Sequence, residues 1–199
     1  MRDEKKIATA VLIGGHSSRM GRPKENVVIE GDGRTFLEKI CDEVDECFPK
    51  IICKRYISVR KGQSISKKGY ETVEDVFDDI GPLGGLVSVL QRAKRDGACA
   101  VLLLACDMIR YDAGQIRSVC ASYAGEDILW ARSGNKHLEP LASIYSTSIL
   151  DAAVIQAKGS DHRLRFLEKT VKRIGYYDSA EPLAYENINS MAEALQKEK

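Results

Sequence analysis

The sequence predicts an α/β fold, a three-layer α/β/α domain on a mostly parallel open sheet, with its ligand site at the carboxyl ends of the strands. Short apolar runs alternate with helix-like segments along the whole chain. One run, Cys99–Ala105 (CAVLLLA), is nearly all apolar, as a parallel strand covered on both faces has to be. The first run stops on two glycines, which marks a loop where a ligand can approach the main chain. In open sheets of this kind ligands bind beyond the carboxyl ends of the strands. With 199 residues, no internal repeat, no low-complexity tract and no linker, residues 1–199 read as one domain.

Ile7–Ile13 (IATAVLI) reads as the first buried strand. GDGRTF reads as a hairpin turn that leads to a helix cap at Thr35, and the helix FLEKICDEVDECF follows, with Phe36, Leu37, Ile40, Val44, Cys47 and Phe48 at helical spacing. Pro49 ends it. Lys50–Val59 is strand-like, ETVEDV returns to strand character, and GPLGG opens the helix LVSVLQRAKR. After the Cys99–Ala105 strand, Tyr111–Tyr123 reads as helix, DILWARS and HLEPLASIY as strands, and Ile149–Lys158 and His162–Lys172 as helices. A short RIGYYD strand and a closing helix, Ser190–Lys199, complete the chain. The second half is less regular, and an antiparallel strand at the sheet edge is the expected irregularity.

Thirty basic side chains against 29 acidic ones leave almost no net charge, which argues against a nucleic-acid partner held by an overall basic surface. No stretch approaches the roughly 20 apolar residues of a membrane span, and the start lacks the form of a signal peptide. Six cysteines occur with no CxxC pair, so reduced thiols and a cytoplasmic location are expected. His16, His137 and His162 have no metal-ligand spacing, and Trp130 reads as core.

Three strand ends carry chemistry. In VLIGGHSSRMGRPK, Gly14 and Gly15 clear space beside the backbone, Ser17 and Ser18 offer hydroxyls, and Arg19 and Lys24 bring fixed charge, with Pro23 stiffening the chain beside Lys24. This is chemistry for a polyphosphate. It is not a Walker A loop, because Met20 stands five residues after Gly15, nor a dinucleotide fingerprint, because His16 stands where a glycine is needed. Asp107 closes the CAVLLLA strand, a place suited to Mg²⁺ bound through one carboxylate and phosphate oxygens, and equally suited to a helix cap. Asp75 ends ETVED with Asp78 and Asp79 nearby, and GPLGGL then places Gly81, Pro82, Leu83 and Gly84 at a helix start. Two readings stand for that start: tight packing behind a proline in the first turn, or a side-chain-free floor for a base.

Taken together, LIGGHSSRMGRPK, GPLGGL, LLLACD, HLEPLASIY and NINSMAEAL resemble the molybdenum cofactor guanylyltransferases, nucleotidyltransferases with a Rossmann-like sheet. The resemblance runs in order from Ile7 to the carboxyl terminus. It implies transfer of GMP from GTP to molybdopterin with release of pyrophosphate, and an onward hand to cofactor-accepting enzymes. By resemblance, Leu12, Gly14, Gly15, Arg19 and Lys24 match the nucleotide loop, with Arg19 and Lys24 on phosphates. The Gly81–Leu86 stretch faces guanine and ribose, Asp107 matches the Mg²⁺ aspartate, and Asp75 a second acidic position, with Asp79 the alternative. Asn187 and Asn189 match a late NxN motif near the nucleotide and metal, and Glu139 and Pro140 the segment bordering the pterin. The chain departs from the family at Ile109, where proline usually follows the CDM or CDT motif, and at Ser190-Met191, where Thr-Pro is usual. A cytidylyltransferase and a non-catalytic cofactor-delivery protein are the competing readings.

Overall fold

The structure, a computed structural model, describes residues 6–13 and 23–185. Among the described residues seven strands form one sheet in the order β3-β2-β1-β4-β6-β5-β7. They are β1 (Ile7–Leu12), β2 (Ile52–Val59), β3 (Glu71–Glu74), β4 (Ala100–Ala105), β5 (Ile128–Arg132), β6 (Leu138–Ser146) and β7 (Ile174–Asp178). The helices are α1 (Phe36–Asp45), α2 (Pro82–Arg95), α3 (Ala113–Ser122) and α4 (Leu150–Lys158).

The alternation of β1 sorts them into layers. Ile7 and Val11 pack with Leu37, Ile40 and Val44 of α1 and Ile116 and Val119 of α3. Ala8, Ala10 and Leu12 pack on the opposite face with Leu83, Leu86 and Leu90 of α2 and Ala153 and Ala157 of α4. Both faces of β1 and β4 are therefore buried along their whole length, which is why their sequences are continuous apolar runs. Trp130 is fully buried, its ring edge-on to Tyr145.

The first helix begins where its cap requires. Thr35 Oγ1 accepts from Glu38 N at 3.2 Å, and the Glu38 carboxylate accepts from Thr35 N at 2.8 Å, a complete capping box. The hairpin before it is present, with Val28 bridged to Thr35. α3 has the same device in Asp112 and Gln115.

The structure corrects three expectations. The antiparallel strand is not at the edge: β6 lies between β4 and β5 and is antiparallel to both, while the edge strands β3 and β7 are parallel to their neighbours. α2 starts at Pro82, inside GPLGG, because proline suits the first helical turn. The segment His162–Lys172 is a 3₁₀ helix over Leu164–Lys169, not an α-helix. Its useful side chains recur every third residue, the 3₁₀ repeat: Leu164 and Leu167 are buried, and Arg163 and Lys169 lie 4.1 and 4.0 Å from the centre of the Phe166 ring. The closing helix expected over Ser190–Lys199 lies outside the described residues.

Candidate nucleotide site

β1, β2, β3, β4, β5 and β7 all run the same way, so their carboxyl ends share one edge of the sheet, and antiparallel β6 begins at that edge. At its centre β1 and β4 end side by side, and Cys106 N donates to Leu12 O at 3.2 Å. Asp107 follows at once. It is 7% exposed and accepts from Lys24 Nζ at 2.5 Å. It is not a helix cap, since α3 is capped by Asp112.

Lys24 arrives there because its turn is pinned on both sides. Pro23 begins a 3₁₀ turn, Lys24–Asn26, and Val27 N closes it on Lys24 O at 3.1 Å. Val27 is then buried against Phe36, with Ile29 and Ile109 packed on the pair. Ile109 thus links the loop after Asp107 to the turn that carries Lys24 by packing.

The second part of the site lies beyond β2 and β3. Ser58 Oγ donates to Asp75 Oδ1 at 2.7 Å, and Asp75 N to Val59 O at 2.9 Å. Burial raises the Asp75 carboxyl above its ordinary range, Ser58 draws it partly back, and Asp78 and Glu74 push it up again. A cleft of about 560 Å³ opens here, with Arg60, Lys61, Gly62 and Gln63 on one wall and Asp75, Phe77, Asp78 and Asp79 on the other.

The GPLGG segment joins the two parts, and its glycines have different reasons. A Cβ on Gly84 would stand 2.6 Å from Phe77 O. One on Gly85 would stand 2.8 Å from Ser58 Oγ and 3.3 Å from Leu12 Cδ2. Packing therefore accounts for both. Gly81 differs: it takes φ 66° and ψ −152°, a conformation open to glycine, and a Cβ there would meet nothing within 4 Å. The Leu83 side chain is fully buried in the core, so only its backbone faces the site edge.

At the far side, β6 carries Glu139 and Pro140 to the same edge through a break in register. Leu129 pairs with Ile144 but Ala131 with Glu139, so β6 bulges over residues 140–143. Proline has no N–H for the ladder, and side chains fill the gap. Ser143 Oγ accepts from Ala131 N at 3.0 Å and donates to Glu139 O at 2.7 Å, while Tyr145 OH donates to Pro140 O at 2.8 Å. The Glu139 carboxylate is held by Ser133 Oγ at 2.6 Å.

Lys24 and Asp107 thus touch, and Leu12, Ser58, Asp75 and the start of α2 form one packed group. No hydrogen bond or ion pair among the described residues links Glu139 or Pro140 to either. Gly14, Gly15, Arg19, Asn187 and Asn189 lie outside the described residues. Sequence reasoning missed Ser58, whose one signal is a hydroxyl in an otherwise apolar strand end, and the Arg60–Gln63 turn, which had none. Among the described residues no group of three or more His, Cys, Asp or Glu side chains is arranged to hold a metal ion.

Known proteins resemble this chain in sequence and in fold. A probable molybdenum cofactor guanylyltransferase from Opitutus terrae is 32% identical over 172 residues, covering 84% of this chain and 76% of its own length. One from Mycobacterium marinum is 28% identical over 196 residues, covering 96% and 92%. The crystal structure of molybdopterin-guanine dinucleotide biosynthesis protein A from Archaeoglobus fulgidus has the same fold, with TM-score 0.76 at 18% identity, covering 94% of this chain and 95% of that one. Residues 9–174 match the family described as the MobA-like NTP transferase domain, and the chain belongs to that family of nucleotidyltransferases.

Proposed function

We propose that this nucleotidyltransferase transfers GMP from GTP to molybdopterin, giving the guanine dinucleotide cofactor and pyrophosphate. The observation that carries the reading is the Lys24–Asp107 pair at the joint ends of β1 and β4, beside the opened start of α2. Relatives at 32% and 28% identity bear the matching name.

In this reaction a phosphate oxygen of molybdopterin attacks the α-phosphorus of GTP. A new P–O–P bond forms, the α–β bridge breaks, and its electron pair leaves on pyrophosphate. The attacking phosphate is already ionised at neutral pH, so positioning and charge stabilisation suffice. The protein's part follows from its residues. Lys24 brings an ammonium with three donors to the phosphate end of the site. The first turn of α2 presents backbone N–H groups and the positive end of its dipole to the same edge. Asp75, held by Ser58, lines the cleft that this reading assigns to the nucleoside, and the family resemblance assigns Gly14, Gly15 and Arg19 to the phosphates. By the same resemblance Glu139 and Pro140 are assigned to the pterin side, and Asn187 and Asn189 to the nucleotide.

Asp107 suits Mg²⁺: it offers one nearly buried carboxylate at a strand end, and Mg²⁺ commonly takes one or two carboxylates and fills its shell with phosphate oxygens and water. Bound there, the ion would neutralise charge developing on the α-phosphate.

The test supplies molybdopterin and Mg²⁺ with GTP, CTP or ATP in turn and measures pyrophosphate. Release with GTP alone is expected. Release with CTP alone, or GTP binding without release, overturns the reading. In the same assay Lys24→Ala should lose on the order of 10²-fold in turnover, as lost charge-stabilising groups do.

A further inference from the structure

Directly after Lys24 the chain buries a second carboxylate that the transfer reaction does not use. Glu25 is 5% exposed. Successive residues of a 3₁₀ turn point about 120° apart, so Lys24 and Glu25 leave one turn in different directions. Lys24 reaches Asp107, and Glu25 Oε1 accepts from Gln63 Nε2 at 2.6 Å. The orientation of the Gln63 amide follows from its partners. A carboxylate only accepts, so the NH₂ faces Glu25, and Gln63 Oε1 accepts from Arg60 N at 3.2 Å.

Gln63 also closes the turn that walls the cleft. Its N donates to Arg60 O at 3.0 Å, and Gly62 stands at φ 74° within the turn. Gly62 N in turn donates to the Glu74 carboxylate at the end of β3. A carboxylate is costly to bury unless it is hydrogen-bonded. Here the Glu25 carboxylate bonds the amide of Gln63, 38 residues away on the cleft wall.

We infer that Glu25 and Gln63 are positioning residues, a brace that fixes the Lys24 turn against the Arg60–Gln63 turn so that one nucleotide meets both at a set spacing. The inference rests on the nucleotide reading of the site. Neither residue touches the reacting atoms. They act through Lys24 on one side and the cleft wall on the other.

The test compares Glu25→Leu, Gln63→Leu, the double variant and Glu25→Gln. Each is assayed for KM and kcat with GTP, and for amide hydrogen exchange in the nucleotide-free chain. Each leucine variant should raise the KM for GTP about tenfold, the scale of one hydrogen bond to a charged group, with the change in KM exceeding any change in kcat. The double variant should be no worse than the worse single, since either change removes the same brace. Glu25→Gln, which keeps an acceptor for Gln63, should restore KM. Gln63→Leu should also speed exchange at Asn26 and Val27, whose N–H groups close the turn that holds Glu25. Unchanged KM in both leucine variants, or single effects that multiply in the double, overturns the brace. The exchange arm separates the two readings. Coupled exchange in a protein that does not use GTP keeps the brace and removes the function, whereas uncoupled exchange in an active enzyme removes the brace alone.

Discussion

Asp75 is a charge held in a place that disfavours charge. Burial raises its carboxyl, the Ser58 hydroxyl lowers it, and Asp78 and Glu74 raise it further, for a net upward shift. The native state therefore holds this proton more tightly than the unfolded chain. The associated stability is fully present below the unfolded value near 3.9 and is lost as pH rises through the folded value. Above both, the buried carboxylate is a standing cost. Asp75→Asn keeps an acceptor for Ser58 and removes the charge, so it should raise the melting temperature at pH 7, with the gain vanishing at acid pH. A variant that melts below wild type at pH 7 would place the charge in a stabilising contact instead. At this scale Lys24 and Asp107 were readable because glycines, proline and a strand end surrounded them. Ser58, Glu25 and Gln63 were not, because their roles come from partners 17 and 38 residues away.

The elements with local instructions were readable from the sequence. Thr35 and Glu38 fix the start of α1 by bonds within one turn, and the run of apolar residues in β4 records burial on both faces. The position of β6 inside the sheet was not readable, because side-chain alternation does not say which strand is the neighbour. Nor was the reason for each glycine in α2, since it depends on what packs above. Those contacts set opposite outcomes for two adjacent changes. Alanine normally gains about 1 kcal/mol over glycine in a helix. At Gly84 the new Cβ meets the Phe77 carbonyl, part of the backbone, and Gly84→Ala should lose about 1–3 kcal/mol in urea unfolding through overpacking. At Gly85 it meets the Ser58 hydroxyl, which can turn aside only by releasing Asp75. Gly85→Ala should therefore cost less stability than Gly84→Ala and weaken nucleotide binding more. Equal loss of both properties in the two variants would refute the distinction.

Across the whole molecule, two cores on opposite faces of one sheet converge on the edge where Lys24, Asp107 and Asp75 lie. No helix among the described residues is long and apolar enough to cross a membrane. The six cysteines report on how cooperatively this body holds together. All are free thiols; Cys41, Cys47, Cys106 and Cys120 are buried, Cys53 is half-buried and Cys99 is exposed. Burial pushes the thiols of Cys41 and Cys120 up to about 12 and raises those of Cys47 and Cys106 as well. Only the thiolate reacts readily, so an aromatic disulfide reagent at pH 8 should modify Cys99 first and Cys53 more slowly. The other four should react together, at the rate set by global opening. Cys106 is the informative member, because it joins the end of β4 to Asp107. If the site edge opened on its own, Cys106 would react ahead of Cys41 and Cys120. A ligand that binds only the folded chain lowers the open population by the factor 1 + [L]/Kd. If the proposed GTP reading holds, GTP at 100 times its Kd should slow the four buried thiols about 100-fold and leave Cys99 unchanged. Slowing confined to Cys106 would mean that the nucleotide steadies the strand end without stabilising the domain as a whole.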